Sequence, residues 1–321
     1  MTAVIPTWNR RELLASLLAD LRAQNAPAER IIVVDNGSTD GSAEDAQAGG
    51  AEVIRWEENR GFAPAVNAGI RAASTQWVLI LNNDIRLPPN WLQTVREAAE
   101  RHPEADFLAP KLVEERNHRR IDGSFDAVAR SGFAWRCGNG RADGPVWNEG
   151  RQIRFAPLTA VLVRRELFDR IGFLDERFES YYEDVEWFFR CAMQGISGWY
   201  EPAAVARHLG SATLGEWNKD TVFRLTRNQR YLVAIYFQEL PRWPIVVGQL
   251  LWIMLAARHG CGSSAFRGWL AGRKLPPGPR PSGVRSETVE NIVREGESTI
   301  RRLQEATGFD WYWKNYFRWT G

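Results

Sequence analysis

Two apolar stretches in the first part of the chain constrain its fold more than any other feature. They are "RIIVV" at residues 30–34 and "WVLIL" at residues 77–81, and neither alternates between apolar and polar residues. A strand with one face in water alternates in this way, whereas a strand covered on both faces is a continuous apolar run, as in parallel sheets. We therefore predict buried parallel strands with helices on both faces of the sheet.

Strand and helix patterns alternate through the first 85 residues. "TAVIP" and "EVIRW" are two further predicted strands, and "APAVNAGIRAA" is a predicted helix of small residues. Another helix is predicted from leucines that recur at helical spacing, namely Leu13, Leu14, Leu17, Leu18 and Leu21. The alternation predicts an α/β fold with a mixed, mostly parallel, Rossmann-like sheet flanked by helices.

The middle of the chain has a less regular pattern. Residues 86–106 predict one helix, and residues 111–154 have weak periodicity, which we interpret as a long excursion over the sheet. Three later stretches predict a strand with a short helix, then a helix, then a last strand: "TAVLVRRELFDRIG", "DVEWFFRCAMQG" and "WYEPAAVARH".

The end of the chain predicts a separate helical extension. From about Leu225 the pattern is helical and basic, and a Pro- and Gly-rich linker is predicted at 273–283. A last amphipathic helix is predicted from Val289, Ile292, Val293, Ile300 and Leu303. We therefore predict one domain at 1–224 and an extension at 225–321.

The amino-acid content disfavours several classes of protein. The three cysteines are odd in number and form no CxxC pair, so neither a disulfide framework nor a zinc site is predicted. The first residues lack the basic and apolar regions of a signal peptide. The apolar run at 245–257 would be about 20 Å long as a helix, too short to span a bilayer. We expect a cytoplasmic protein with a core or interfacial helix at this run.

Basic and aromatic residues concentrate near the end of the chain. Residues 1–241 hold 29 Lys+Arg and 33 Asp+Glu, whereas residues 242–321 hold 12 and 6. The tail "GFDWYWKNYFRWTG" combines aromatic residues with Lys314 and Arg318. The aromatic and basic tail predicts either peripheral contact with the inner face of the cell membrane or a homo-oligomer interface. The basic excess predicts a surface for anionic lipid or for a phosphate-bearing acceptor, with a solvated basic tail as the alternative. Nucleic acid is not a predicted partner, because the first part of the chain is acidic.

Polar residues follow two of the predicted strands. Asp35 follows "RIIVV", and the triplet Asn82, Asn83 and Asp84 follows "WVLIL". The carboxyl ends of parallel strands share one edge of a sheet, where such folds bind ligands. Either aspartate alone is also a common helix N-cap. The chain has neither GxGxxG nor GxxxxGK[ST], so these patterns predict no dinucleotide or Walker phosphate loop.

Five short motifs occur in order along the chain: "VIPTWNR", "VVDNGSTDG", "ENRGFAPAVNAGI", "LILNNDI" and "YYEDVEWFFR". In this order and spacing they resemble family 2 glycosyltransferases, and the chain looks most similar to the bacterial rhamnosyltransferase-like members. The resemblance covers residues 2–230 approximately. It implies that the first domain has the GT-A fold and binds a nucleotide-sugar donor and a divalent metal ion. It also implies an inverting displacement.

The resemblance implies a ligand role for residues in four of these motifs. Those that would contact the nucleotide or its sugar are Pro6, Thr7, Asn9, Asp35, Asn36, Arg60, Gly61, Asn67 and Asn83. Among them, Asp35 would hold the base.

The metal site that the resemblance implies has fewer carboxylates than the site of family members whose motif is acidic. Asp84 would bind Mg²⁺ or Mn²⁺, which are hard cations that prefer oxygen ligands. Asn82 and Asn83 are neutral, so the diphosphate of the donor would supply much of the metal affinity. His208 follows the last predicted strand and matches a metal-binding histidine of similar enzymes. A structural histidine is the alternative.

Glu183 and Asp184 stand at the start of a predicted helix, where a carboxylate is stabilised whether or not it has another role. The resemblance implies that Asp184 is the general base. Such a base is needed because the acceptor hydroxyl must lose its proton as it attacks the anomeric carbon. Glu183 would orient the acceptor.

These observations together predict an inverting, metal-dependent glycosyltransferase. It would move a hexose or deoxyhexose, with rhamnose as one candidate, from a dTDP- or UDP-sugar to a hydroxyl of a cell-surface glycan or lipid-linked precursor. One alternative is a nucleotidyltransferase, which the lack of a glycine-rich phosphate loop disfavours. The other is a non-catalytic assembly subunit that binds nucleotide sugars, which the joint retention of Asp35, Asp84, Asp184 and His208 disfavours.

Overall fold

The computed structural model describes residues 1–210, 217–275 and 285–321. Most of the predicted linker at 273–283 lies outside these residues. The chain forms two compact units. The sheet unit comprises Met1–Phe125, Gly138–Cys191 and Gly195–Gly210, and the helical unit comprises Asp126–Cys137, Ala192–Gln194 and the residues described after Gly210.

The strands of the described residues are, in chain order, β1 (Thr2–Thr7), β2 (Arg30–Asp35), β3 (Glu52–Arg55), β4 (Trp77–Leu81), β5 (Ile85–Arg86), β6 (Phe107–Glu114), β7 (Asn117–Gly123), β8 (Asp126–Val128), β9 (Ala134–Arg136), β10 (Arg151–Ile153), β11 (Ala160–Arg164) and β12 (Gly198–His208). All except β8 and β9 belong to one sheet, whose main order is β10-β12-β6-β11-β4-β1-β2-β3. At its margin, β5 pairs with β12 and β7 pairs with β6.

The strand directions put several carboxyl ends at one edge of the sheet. β1 is parallel to β2 and β4, β2 is parallel to β3, and β6 is parallel to β12. β11 is antiparallel to both β4 and β6, so β6 and β12 run in the direction of β4. The carboxyl ends of β1, β2, β4 and β12 therefore share one edge. The mixed, mostly parallel sheet predicted from the sequence is confirmed.

The helices of the described residues are, in chain order, α1 (Arg11–Arg22), α2 (Ser42–Ala48), α3 (Phe62–Ala72), α4 (Trp91–Arg101), α5 (Glu166–Ile171), α6 (Glu183–Met193), α7 (Lys219–Tyr236), α8 (Arg242–Arg258), α9 (Gly262–Gly272), α10 (Ser286–Thr307) and α11 (Trp311–Thr320).

Strand β2 is covered on both faces, as its continuous apolar sequence predicts. Val33 belongs to a core cluster that also holds the buried leucines of α1 and Trp91 of α4. Its neighbours Ile32 and Val34 belong to a separate cluster with Ala65 of α3. Helix α3 approaches the sheet closely at Gly69, because a Cβ atom there would lie 2.3 Å from a methyl carbon of Val4.

The interpretation of residues 111–154 as an irregular excursion is wrong. This region contains the end of β6 and all of β7, β8, β9 and β10. The last three strands are only three residues long, so they are too short to show a period of two in the sequence. The first four residues of β7 are exposed and polar or charged, which hides the strand pattern there.

The helical unit combines the hairpin of β8 and β9 with helices α7 to α11. Helix α10 buries all five apolar residues that predicted it. It approaches β8 at Gly296, where a Cβ atom would lie 2.1 Å from the carbonyl oxygen of Val128. The predicted boundary at 224/225 requires correction, since it falls inside α7 and since the hairpin at 126–137 groups with the helical unit.

The aromatic tail forms α11, and much of it is buried within the helical unit. Tyr312, Trp313 and Tyr316 are buried. The ring of Tyr312 lies 5.3 Å from the ring of Phe133 in the hairpin. These tail rings therefore have partners inside the chain, whereas the sequence predicted partners outside it, in a membrane or a second copy.

Two further features bear on the sequence predictions. Cys137, Cys191 and Cys261 are free and buried. Across the described parts of the chain, no helix has both the length and the hydropathy required to cross a bilayer.

Candidate active site

The carboxyl edge of the sheet collects most of the predicted ligand residues. Thr7 ends β1, Asp35 ends β2, Asp84 lies three residues beyond β4, and His208 ends β12. The amide nitrogen of Asn83 donates to the hydroxyl oxygen of Thr7 at 2.9 Å, which connects the residues after β4 with the end of β1. The topology thus brings together residues that are up to 201 positions apart in the sequence.

Asp84 and His208 are neighbours because the short strand β5 pairs with the end of β12. Ile85 is the register partner of His208, and the amide of Leu209 donates to the carbonyl oxygen of Asp84 at 3.0 Å. The side chains then face each other, with Nε2 of His208 3.2 Å from Oδ1 of Asp84.

Asp122, on β7, contacts the other ring nitrogen of His208. Its Oδ2 atom lies 2.8 Å from Nδ1 of the histidine, and both side chains are buried. When Nδ1 carries a proton and donates it to Asp122, Nε2 faces Asp84. A carboxylate that fixes a histidine in this way is a common arrangement behind a metal ligand.

The two carboxylates change the protonation of His208. Burial lowers the pKa of the imidazole, but the hydrogen bond with Asp122 and the contact with Asp84 outweigh burial and raise the pKa to about 9. Near neutral pH the ring therefore carries a positive charge. A nitrogen coordinates a metal only without its proton, so an ion bound at Nε2 must displace that proton.

The donor set of this site fits a hard divalent cation. Oδ1 of Asp84 is buried and accepts no hydrogen bond of good geometry from the described residues, although Nε2 of His208 is 3.2 Å away. Two ligands of one cation lie this close to each other, so the 3.2 Å separation fits a metal site. Because Asp122 binds Nδ1, only Asp84 and His208 face the same point. In agreement, the described residues contain no group of three acidic, histidine or cysteine side chains arranged around one ion.

Asp35 also has an unused acceptor at the same edge. Its Oδ1 atom accepts a hydrogen bond from the amide of Ser38 at 3.2 Å. Its Oδ2 atom is buried and accepts no hydrogen bond from the described residues, and the nearest cation is Nε of Arg55 at 3.9 Å. A buried acceptor without a donor costs free energy, so an N–H group of a ligand would form a favourable hydrogen bond with this atom.

The side chains of Asn36 and Asn67 make hydrogen bonds within the protein, and their contact with the nucleotide stays a prediction. Asn36 accepts from the amide of Arg60 at 2.7 Å and donates to the carbonyl of Gly61 at 2.9 Å. Asn67 is fully buried, and its amide group bonds both backbone groups of Leu174. Asn36 thus fixes the loop at Arg60 and Gly61, and Asn67 fixes the backbone at Leu174.

The other residues that are predicted to contact the nucleotide lie in the first and third motifs. Pro6 is buried in β1. Asn9 is exposed, and its side-chain oxygen accepts from the amide of Thr39 at 2.8 Å. Arg60 is exposed, and its guanidinium lies 4.9 Å from the centre of the Trp56 ring. Gly61 has a φ of 100°, which only glycine adopts readily.

Gly37 shows why a turn follows Asp35. It has a φ of 79°, and a Cβ atom there would lie 2.7 Å from the backbone of Glu58. The structure shows that the close neighbour of Gly37 is the chain's own loop before Arg60.

Glu183 and Asp184 open α6, as predicted. Glu183 is buried, and Asp184 is half-buried with its Oδ1 atom accepting from the amide of Val185 at 2.7 Å. The preceding segment is strained, because Glu179, Tyr181 and Tyr182 have positive φ angles of 60°, 71° and 69°. Such strain in non-glycine residues concentrates at functional sites.

The strained segment is tied to the third motif. The carbonyl oxygen of Glu179 accepts hydrogen bonds from the amides of Phe62 and Ala63, at the start of α3. These amides have no partner inside their own helix, so the segment before Glu183 satisfies them. The third and fifth motifs are therefore adjacent in the fold.

Asp122 is the residue that sequence reasoning missed. It lies in "RRIDGS", inside the region interpreted as irregular, and its neighbours carry no motif. Only the pairing of β7 with β6, and of β6 with β12, brings it near His208. A lone aspartate before a glycine carries no local signal that could have identified it.

Similarity to known proteins agrees with this geometry. A family model described as Glycosyl transferase family 2 matches residues 2–172. The N-acetylglucosaminyl-diphospho-decaprenol L-rhamnosyltransferase of Mycobacterium tuberculosis is 29% identical over an alignment that covers 65% of this chain and 76% of that protein. The pre-mycofactocin glycosyltransferase of the same organism is 27% identical, with 68% of this chain and 44% of that protein covered.

Solved structures show the same fold. The mannosyltransferase PcManGT from Pyrobaculum calidifontis, in complex with GDP-Man and Mn²⁺, is similar with a TM-score of 0.53 and 18% identity, over 99% of this chain and 85% of that chain. GalNAc-T7 with UDP, GalNAc and Mn²⁺ has a TM-score of 0.66 and 14% identity, over 96% of this chain and 57% of that chain. The fold is thus GT-A. Because the family match extends over residues 2–172 of 321, the chain belongs to glycosyl transferase family 2 and is a glycosyltransferase.

Proposed function

We propose that this glycosyltransferase is metal-dependent and inverting. It moves a hexose or deoxyhexose, with rhamnose as the first candidate, from a dTDP- or UDP-sugar to a hydroxyl of a cell-surface glycan or lipid-linked precursor. The observation that carries the proposal is the pairing of Asp84 with His208 at the sheet edge that also presents the unused acceptor of Asp35. The name of the rhamnosyltransferase relative supports the choice of sugar and of a lipid-linked acceptor.

Asp84 and His208 would hold the divalent cation, either Mg²⁺ or Mn²⁺. When bound, the cation supplies positive charge against the leaving diphosphate. Two protein ligands leave most of its coordination to the donor's diphosphate oxygens, so metal and donor bind cooperatively in this proposal. The two similar solved structures, both of which contain Mn²⁺ with a nucleotide or nucleotide sugar, support this assignment.

Asp35 would accept a hydrogen bond from an N–H group of the base. Both uracil and thymine carry such a group, so this contact is compatible with a UDP or a dTDP donor. The edge position of Asp35 supports this role, because α/β sheets bind nucleotides beyond the carboxyl ends of their strands.

Asp184 would act as the general base of a single displacement. The acceptor oxygen forms a bond to the anomeric carbon while its proton moves to the Asp184 carboxylate. The bond between the anomeric carbon and the diphosphate oxygen breaks, and its electron pair leaves with the nucleoside diphosphate. Attack from the side opposite the leaving group inverts the anomeric configuration. Glu183 would orient the acceptor hydroxyl.

The experiment that tests this function measures donor binding and product formation together. Thermal shift with a panel of nucleotide sugars, with and without Mn²⁺, should reveal one nucleotide class that stabilises the protein only with the metal. Asp84→Asn should abolish the metal-dependent part of this stabilisation. Asp169→Asn, at an exposed carboxylate on α5, is the matched control and should behave like the wild type.

The reaction products separate this function from the two alternatives. A glycosyltransferase releases a nucleoside diphosphate, whereas a nucleotidyltransferase forms or consumes pyrophosphate, and a binding subunit releases neither. NMR of the product should show an anomeric configuration opposite to that of the donor. A retained configuration, or metal-dependent binding that survives in Asp84→Asn, would contradict the proposal.

A further inference from the structure

Helix α8 exposes a continuous apolar stripe. Trp243, Val246, Leu250 and Met254 are spaced by three or four residues, so they lie on one face of the helix. Their side chains are 57%, 44%, 56% and 54% exposed, respectively. The opposite face of α8 is buried in the helical unit. The helix is therefore apolar all round, although only one side has a partner within the described residues.

Helix α11 runs beside α8 and extends this surface. The indole nitrogen of Trp243 donates to the carbonyl of Trp319 at 2.8 Å, and the guanidinium of Arg258 lies 5.5 Å from the ring centre of Trp311. Opposite ends of the two helices are thus paired, so the helices are antiparallel. Trp319 is 58% exposed, which places a second exposed tryptophan next to Trp243.

Helix α9 adds a shorter apolar stripe in the same unit. Phe266 and Leu270 are one helical turn apart and are exposed. Arg267 lies between them in the sequence and is also exposed. We call the exposed residues of α8, α9 and α11 together the apolar–basic surface.

The charges of these three helices all have one sign. None of them contains Asp or Glu, and their basic residues are Arg242, Arg258, Arg267, Lys314 and Arg318. Four of these five residues lie in α8 and α11, the antiparallel pair that carries the longer apolar stripe. The partner that complements such a surface is apolar with a negative border.

We propose that the apolar–basic surface binds an anionic lipid bilayer, with α8 lying in the plane of the interface. Apolar side chains enter the boundary between headgroups and acyl chains, while Lys and Arg meet lipid phosphates. Tryptophan favours this boundary, which suits Trp243 and Trp319. A second copy of the chain suits the surface less well, because a twofold interface would bring the same basic residues together.

The proposal is independent of the transferase activity, because lipid binding needs neither donor nor metal. The full chain is mixed with vesicles of phosphatidylcholine alone or of phosphatidylcholine with phosphatidylglycerol, and the bound fraction is measured by flotation. The wild type should bind the anionic vesicles, and added salt should weaken this binding. Leu250→Glu combined with Met254→Glu should weaken it about tenfold or more, since it places charge in the apolar stripe.

A matched control adds the same charge elsewhere in the helical unit. Asn291→Glu combined with Ser298→Glu changes two exposed positions of α10 and should leave binding within about twofold of the wild type, because surface charge outside the contact has a weak effect. Lys314→Gln combined with Arg318→Gln should weaken binding to anionic vesicles and reduce its salt dependence.

Three results would overturn the proposal. They are absence of wild-type binding to anionic vesicles, equal loss of binding in the α8 variant and the α10 control, and conversion of a dimer to a monomer by the α8 variant in light scattering. The last result would assign the surface to a second copy. If thermal unfolding shows that the glutamate variant does not fold, Leu250→Ser combined with Met254→Ser replaces it and is judged by the same outcomes.

Discussion

Asp122 determines which nitrogen of His208 faces Asp84. Its contact with Nδ1 occupies one side of the ring, and Asp84 lies at the other side, 3.2 Å from Nε2. The imidazole is therefore held from both sides in a buried position. If His208 binds a cation with Asp84, Asp122 is a positioning residue that fixes the ring and its tautomer.

Replacing Asp122 should therefore weaken metal binding without removing a ligand. Asp122→Asn keeps a side-chain acceptor for Nδ1 but loses the charge, and we expect Mn²⁺ affinity in the presence of the donor diphosphate to fall about tenfold, at the low end of the range for such residues. Calorimetric titration of Mn²⁺ measures this effect. Unchanged Mn²⁺ affinity in a variant that folds normally would assign Asp122 a purely structural role.

Asp184 and Glu183 should respond differently to loss of their charge. Asp184→Asn keeps the shape of the side chain but cannot accept a proton, so we expect donor binding near that of the wild type and a transfer rate about 10²–10⁴-fold lower. Glu183→Gln should raise the KM for the acceptor more than it lowers kcat. Single-turnover transfer and donor affinity, measured on both variants, test this assignment. If Asp184→Asn transferred the sugar at a near-normal rate, another residue would have to be the general base.

At the scale of elements, α10 joins the hairpin and α11 through one buried carboxylate. Glu297 accepts from the backbone amide of Arg130 at 3.0 Å and from its guanidinium at 2.7 Å. The same carboxylate accepts from the hydroxyl of Tyr316. Burial and the neighbouring Glu297 carboxylate raise the pKa of Tyr316 above its usual range, so the phenol keeps the proton that it donates.

Substitutions of Glu297 and of Tyr316 should lower the free energy of unfolding by different amounts. Glu297→Gln leaves the guanidinium of Arg130 largely buried without its counter-charge, and we expect a loss of roughly 3 kcal/mol in the free energy of unfolding. Tyr316→Phe removes one hydrogen bond and should cost about 1 kcal/mol. Urea unfolding of both variants measures the difference. If Tyr316→Phe lowered the free energy of unfolding more than Glu297→Gln, the Glu297 carboxylate would not be the main stabilising group among these residues.

At the scale of the whole molecule, the helical unit is discontinuous in the sequence. The hairpin at 126–137 lies between two parts of the sheet unit in the chain but belongs to the helical unit. Its Phe133 packs with Trp252 and Tyr312, at ring distances of 5.1 and 5.3 Å. A truncation at the predicted boundary of 224/225 would remove both partners.

The truncated chain 1–224 should therefore be less soluble than the full chain. Loss of α8 and α11 exposes the apolar side of the hairpin, and an exposed apolar patch of this kind favours aggregation. Size-exclusion chromatography of the two chains, expressed identically, provides the measurement. A monodisperse 1–224 product with normal donor binding would contradict the assignment of the hairpin to the helical unit.

Local patterns in the sequence predict many of the regular elements, although not the strands β7 to β10. Continuous apolar runs predict β2 and β4, leucine spacing predicts α1, and five apolar residues at helical spacing predict α10. These predictions succeeded because burial of one face imposes a period on the residues of the same element. The motif order was also sufficient to predict the family, since it needs only the linear sequence.

The contacts between distant segments were decided by the tertiary structure. Asn36 and Asn67 are predicted nucleotide contacts, and the structure adds that their amides bind the carbonyls of Gly61 and Leu174. Asp122 had no signal in the sequence and is nevertheless in contact with His208. Strand pairing and loop closure set the distances between these side chains, and neither produces a periodic pattern in the sequence. The sequence by itself thus determined many of the elements and the family, whereas the tertiary structure decided which side chains lie together at the carboxyl edge of the sheet.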